Sequence, residues 1–220
     1  MDDGLRISLI AREAQARFAL IFEGSSVAFG DVAQRATDLG DALLHRGVHA
    51  RARVALVSAN SLDIALAVYA LLDLGATLVP IHPRLTSAET DVLLADSAPA
   101  LTLRGDDIRD LQGGSHASAG PRRHKGSAGA PLAIVYTSGT TGRPKGAVLS
   151  RRAFVASARA TATRLGWEEN DRWLCCLPLC HVGGLSILTR CLLARRTVIL
   201  APRFDPASVI ASIARDRATL

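Results

Sequence analysis

Tyr136-Thr137-Ser138-Gly139-Thr140-Thr141-Gly142-Arg143-Pro144-Lys145-Gly146 stands between two short apolar runs, Ala133-Ile134-Val135 and Ala147-Val148-Leu149. The runs read as strands and the polar, glycine-rich stretch as the loop joining them. Gly139, Gly142 and Gly146 permit backbone conformations and close approaches that a Cβ would block. The hydroxyls can donate hydrogen bonds and Lys145 adds a full positive charge. A loop of this kind between strands can surround a polyphosphate with backbone N–H groups. It is not a Walker A loop, because Arg143 and Pro144 separate Gly142 from Lys145 and Gly146 stands where Ser or Thr is required. The chain also lacks a G-x-G-x-x-G dinucleotide fingerprint.

Outward from this loop, short apolar strands alternate with helical spacing, the pattern of an α/β sheet. Strands are expected at Arg53–Val57, Thr77–Ile81, Leu101–Leu103, Trp173–Leu177 and Thr197–Leu200. Helices are expected over Leu5–Ala16, Asp31–Leu44, from Asn60 or Ser61 to Gly75, from Ser150 to Leu165 and over Gly184–Leu193. Thr86-Ser87-Ala88-Glu89 has capping-box form, and Asp205-Pro206 places an N-cap before a proline at the first helical position. The predicted fold is α/β, a mainly parallel sheet flanked by helices. A Gly-, Ser- and Ala-rich stretch, 113–131, reads as a flexible linker between a first sub-domain, 1–112, and the start of a second, 132–220. Its functional alternative is an anion-binding arm through Arg122, Arg123 and Lys125. The chain stops at Leu220, where a further strand is expected.

The bulk composition bounds the function. Of 220 residues, 49% are hydrophobic and 21% charged, an ordinary globular balance. The net charge of +6 comes from scattered arginines such as Arg122-Arg123, Arg151-Arg152 and Arg195-Arg196, with aromatics at only 4%. Nucleic-acid surfaces concentrate charge on one face, so these arginines read as solvated helix ends and loops. Only Lys125 and Lys145 are lysines, which makes a lysine inside the loop less incidental. The acidic start Met1-Asp2-Asp3 is not a signal peptide, and Asp73, Gly75 and Pro80 break the longest apolar region, so a cytoplasmic protein without a membrane span is expected. Cys175, Cys176, Cys180 and Cys191 read as buried, reduced thiols acting as small hydrophobes. A zinc site would need a further ligand pair at suitable spacing, so no metal ligand is assigned.

A second signal is Leu177-Pro178-Leu179-Cys180-His181-Val182-Gly183-Gly184-Leu185-Ser186, at a strand-to-helix junction. Pro178 ends the strand, and the paired glycines permit a tight turn. His181 is thus presented at the end of a strand, where α/β ligand pockets lie.

The loop resembles, almost letter for letter, the phosphate-binding loop of the acyl-adenylate-forming ligases, and the chain looks like the incomplete N-terminal domain of such an enzyme. The resemblance implies that Thr137, Ser138, Gly139, Thr140, Thr141, Gly142 and Lys145 bind the phosphates of ATP, with Arg143 and Pro144 shaping the loop. It places His181 beside the acyl carboxylate. The implied reaction uses ATP, Mg2+ and CoA: a carboxylate attacks the α-phosphate, and the CoA thiolate then takes the acyl group from the acyl-AMP. Pro80-Ile81-His82-Pro83-Arg84-Leu85-Thr86 and the His181 segment are similar to o-succinylbenzoate–CoA ligases of menaquinone biosynthesis. Those ligases commonly have Asn in place of His82 and Phe in place of Cys180. Fatty- or aryl-acid–CoA ligases share much of the pattern, and a non-catalytic nucleotide-binding module is the alternative from another class. The family's Gly-Tyr-Gly-x-Thr-Glu segment and C-terminal lysine domain do not occur among these residues, so the fragment alone is expected to bind nucleotide weakly and to catalyse little.

Overall fold

The computed structural model describes residues 4–114, 127–137 and 144–220. A short helix, α1 (Ile7–Ala14), precedes β1 (Phe18–Phe22) and β2 (Ser25–Ala28), which pair antiparallel. Glu23 and Gly24 turn this hairpin with φ of 49° and 82°, the positive pair that matches strand twist in a two-residue turn. This hairpin was not anticipated: Glu is an unusual residue for that position.

Next come α2 (Phe29–His45), β3 (Arg53–Val57), α3 (Leu62–Leu74), β4 (Thr77–Ile81), α4 (Ser87–Ser97), β5 (Leu101–Arg104) and α5 (Gly105–Gly113). Gly75 closes α3 in the left-handed region at φ 68°, as a C-terminal glycine should. The capping box of α4 is present, with the Thr86 hydroxyl accepting from Glu89 N and Glu89 accepting from Thr86 N. Helix α5 occupies the segment immediately before the expected linker; the Asp107 carboxylate accepts from Arg104 N at its start. Beyond residue 126 lie β6 (Pro131–Thr137), β7 (Lys145–Ser150), α6 (Arg151–Leu165), β8 (Arg172–Cys175), α7 (Val182–Ala194), β9 (Thr197–Leu200) and α8 (Pro206–Asp216).

The strands form two sheets, ordered β5-β3-β4-β6-β7 and β2-β1-β9-β8. Pairing is parallel except at the β1–β2 and β6–β7 hairpins. Residues 1–112 and 132–220 therefore share both sheets. Backbone bonds from Leu174 N to Leu220 O and from Thr219 N to Arg172 O line the last residues along β8.

Helix α3 is buried from Ile64 to Leu74 without a polar stripe, the pattern of an interior helix. It packs against α1, α2, α5 and β4, and one apolar cluster runs from Leu5 to Leu200. Arg151 corrects an expectation. It is not a solvated helix end: it is 1% exposed, and its guanidinium donates to the carbonyls of Leu72 and Leu5, each at 3.1 Å. A buried guanidinium persists only where its donors are satisfied, so Arg151 links α6 to the end of α3 and to the start of the chain. No helix among the described residues is long and apolar enough to cross a membrane.

Candidate active-site cleft

The two ends of the opening stretch belong to the antiparallel pair β6 and β7. Thr137 stands opposite Lys145 and Tyr136 opposite Gly146, so the two ends of the polar loop face each other across the ladder. Both Thr137 and Lys145 are exposed. Ser138, Gly139, Thr140, Thr141 and Gly142, with Arg143, lie outside the described residues. Gly146 has a packing reason: a Cβ there would meet Ile134 Cγ2 at 2.8 Å and the Tyr136 ring at 3.3 Å. The Tyr136 hydroxyl donates to Asp96 Oδ2 at 2.5 Å, which ties β6 to α4. Burial, then the Asp96 bond, pushes the tyrosine pKa up to about 12.

The second wall is built by Asn60. Ser61 is the N-cap of α3, accepting from Ile64 N at 3.2 Å, which leaves the Asn60 side chain for a long-range task. Its Nδ2 donates to the carbonyls of Leu177 and Ala201, both at 3.0 Å, and its Oδ1 accepts from Leu179 N at 2.8 Å. The segment leaving β8 is thereby pinned to the start of α3 and the end of β9. His181 N donates to Pro178 O at 3.0 Å, closing the turn that presents Cys180 and His181.

Gly183 and Gly184 act differently from the expected loop glycines. They lie in the first turn of α7, with His181 as N-cap. A Cβ on Gly184 would sit 2.4 Å from Pro178 O and 2.8 Å from Leu177 O. Its absence lets the helix end abut the preceding backbone.

These walls enclose a cleft of about 900 Å³ whose lining includes Thr137 and Pro144 from either end of the loop, together with Tyr136, His82, Cys180 and His181. The volume suits a small organic ligand. His181 is exposed and its ring makes no capping bond to α7. His82 Nδ1 accepts from Arg84 N at 3.1 Å, and the two imidazole rings are 5.9 Å apart. Burial, Arg84 and His181, in that order, hold the His82 pKa below its ordinary value. Cys180 is 9% exposed, and burial raises its thiol to about 11. The carboxylates of Glu89 and Asp96 also line the cleft, but Glu89 is engaged at the α4 cap and Asp96 by Tyr136. A smaller polar hollow of about 320 Å³ near Arg17 and Arg196 shares no lining residue with this cleft.

Of the residues singled out from the sequence, Thr137 and His181 line the cleft and Lys145 stands opposite Thr137 in the ladder; the sequence presents Asn60 only as a possible helix cap and gives His82 and Cys180 no site role. The His82 and Cys180 signals were present only as departures from a resembled pattern. Asn60 carried none, because its partners lie 117 to 141 residues away along the chain.

Comparison with known proteins agrees with the geometry. A 2-succinylbenzoate–CoA ligase of Bacillus cereus is 32% identical over 199 residues, covering 86% of this chain and 41% of that protein. The o-succinylbenzoate coenzyme A synthetase (MenE) of Bacillus subtilis in complex with AMP superposes with a TM-score of 0.91 at 28% identity. That match covers 97% of this chain and 59% of the solved one. The same enzyme in complex with ATP and a magnesium ion gives a TM-score of 0.90 at 27% identity, over 97% and 61% of the two chains. This chain thus spans less than half the length of the curated relative. The AMP-binding enzyme model matches residues 9–220, loop, cleft and both sheets together, and the chain belongs to the AMP-binding enzyme family.

Proposed function

We propose that this chain supplies the triphosphate and acyl-carboxylate portion of an ATP-dependent acid–CoA ligase, with o-succinylbenzoate as its acid. The observation that carries the reading is the cleft that joins Thr137 and Pro144, at the two ends of the phosphate loop, to His181 at the head of α7. An acid bound near His181 and a triphosphate held by the loop would share one enclosure, as in-line attack on phosphorus requires.

In this reading Thr137, Ser138, Gly139, Thr140, Thr141, Gly142 and Lys145 hold the phosphates. Hydroxyls and backbone N–H groups donate to oxygens that gain charge as pyrophosphate departs, and Lys145 adds its positive charge. His181 orients the acid by donating to a carboxylate oxygen. It is not a general base, because the attacking carboxylate is already ionised at neutral pH. Magnesium supplies charge neutralisation on the phosphates when bound. The described cleft carboxylates, Glu89 and Asp96, are committed elsewhere, so this chain's part is to hold the nucleotide rather than to ligate that ion. CoA is the acyl acceptor, and the enzyme is cytoplasmic.

The test is acid-dependent ATP–pyrophosphate exchange and CoA thioester formation, with o-succinylbenzoate compared against fatty and aryl acids. A clear preference for o-succinylbenzoate is expected from the protein carrying this chain with the remainder of the ligase. No preference rejects the substrate assignment. The 220 residues by themselves are expected to bind nucleotide weakly and to give little exchange; vigorous exchange would reject that division of labour.

A further inference from the structure

We propose that His82, Cys180 and His181 form a binding site for a borderline-soft divalent transition ion of the zinc type. One donor atom from each residue lies within 4.8 Å of the other two. Two imidazoles and a thiol select zinc-like ions over magnesium or calcium, which prefer oxygen. The usual Zn–N and Zn–S bond lengths put donors in a tetrahedral site roughly 3.3–3.6 Å apart. The trio therefore needs to close by about an ångström, a movement that turning two histidine side chains can supply.

The backbone on which they stand is already fixed. Cys180 and His181 are neighbours on the turn pinned by Asn60 and by the His181 N to Pro178 O bond. His82 directly follows β4, whose five residues are all buried. No sequence spacing indicates the trio, because the third ligand arrives from a different strand end. All three residues line the cleft. Three protein ligands leave the fourth position of a tetrahedron for water, the pattern of reactive rather than structural zinc sites. If the acid-ligase reading holds, a carboxylate oxygen of the acid could take that position; the metal site itself does not depend on it.

Coordination has defined chemical consequences. Cys180 binds as thiolate and releases its proton to solvent, while both imidazoles bind neutral. His82 gives up its bond from Arg84 N whichever nitrogen is used. If Nδ1 coordinates, its lone pair is taken; if Nε2 coordinates, the remaining proton moves to Nδ1 and faces the Arg84 N–H.

Cobalt(II) as a zinc probe tests the site in reduced, tag-free protein without nucleotide, acid or CoA. One equivalent should produce a near-ultraviolet thiolate-to-cobalt band with visible tetrahedral bands, all displaced by zinc. Cys180→Ser should abolish the thiolate band, and His82→Asn should weaken binding about tenfold or more. Cys176→Ser, at the half-buried neighbouring thiol, should retain the band. Circular dichroism checks each fold. If Cys180→Ser does not fold, the native titration and His82→Asn decide the matter. No thiolate band in native protein, a band surviving in folded Cys180→Ser, or undiminished affinity in His82→Asn overturns the site. Failure of thioester formation with cobalt binding intact rejects only the ligase reading.

Discussion

Replacing Asn60 by Ala should destabilise the chain far more than its polar character suggests. The substitution removes two donated bonds, to Leu177 O and Ala201 O, and one accepted bond, from Leu179 N. The three partners are not equivalent. The Leu177 carbonyl keeps a second donor in the Cys175 thiol at 3.6 Å, whereas Leu179 and Ala201 are 4% and 8% exposed. A buried backbone group left unpaired costs about 1–3 kcal/mol, so two such groups give about 2–6 kcal/mol. For a chain of this size that corresponds to roughly 4–24 °C in melting temperature. Urea denaturation of Asn60→Ala beside the native chain measures it, with the slope confirming a two-state comparison.

Asn60→Asp separates hydrogen bonding from bulk. It preserves shape and keeps an acceptor for Leu179 N, but turns its other oxygen towards two carbonyl oxygens. Burial and those neighbours should raise its folded pKa above the unfolded value of about 3.9. A carboxyl so shifted favours the folded state below its unfolded pKa and loses that contribution as pH rises through the folded pKa. The deficit of Asn60→Asp against the native chain should therefore widen with pH. A loss under ~0.5 kcal/mol for Asn60→Ala, the ordinary surface value, or a pH-independent deficit for Asn60→Asp would refute the clamp.

Gly184→Ala should cost about 1–3 kcal/mol, because its Cβ would meet the Pro178 and Leu177 carbonyl oxygens, which no side-chain rotation relieves. Gly183→Ala meets only Leu177 Cδ1, on an exposed side chain, and should gain up to about 1 kcal/mol from helix propensity; urea midpoints of the pair give the sign of each. Arg151→Met should lose about 3 kcal/mol, the loss of two charge-assisted bonds partly offset by apolar packing, while exposed Arg152→Met should stay within about 0.5 kcal/mol. Equal effects for the two arginines would contradict the buried link described for Arg151.

What could be read in advance was what the chain encodes locally. β3, β4 and β9 matched their expected spans, because three or four apolar residues in a row need no distant partner to be recognised. The Thr86–Glu89 box, Ser150 and Asp205 declared their helices through bonds that reach only three residues. The β1–β2 hairpin escaped because its turn uses Glu23 in the left-handed region instead of a residue that prefers it. Arg151 and Arg152 are identical letters at a helix start; only the tertiary placement of the Leu72 and Leu5 carbonyls decides which guanidinium is buried. Strand order was similarly out of reach, since β9 joins β1 across almost the whole chain.

The cleft divides along the same line. The end proposed for phosphate is a continuous string, and glycines, hydroxyls and a lysine at fixed offsets can specify a loop without tertiary information. The end proposed for the acid is assembled from the ends of β4 and β8 and from a side chain ahead of α3. His181 was legible because a proline, a histidine and two glycines mark a strand-to-helix junction. The residues that hold or adjoin it were not: Asn60 matches a helix cap just as well, until Ser61 takes that role. His82 and Cys180 acquire their chemistry only from being brought beside His181. That is also why the metal proposal depends on the folded chain. Its ligands share no motif, and the clamp made by Asn60 fixes two of them. If the clamp reasoning is right, Asn60→Ala should loosen cobalt at His82, Cys180 and His181 as well as lower the melting temperature. A variant that melts early yet binds cobalt as tightly as the native chain would show that Asn60 stabilises the fold without positioning the trio.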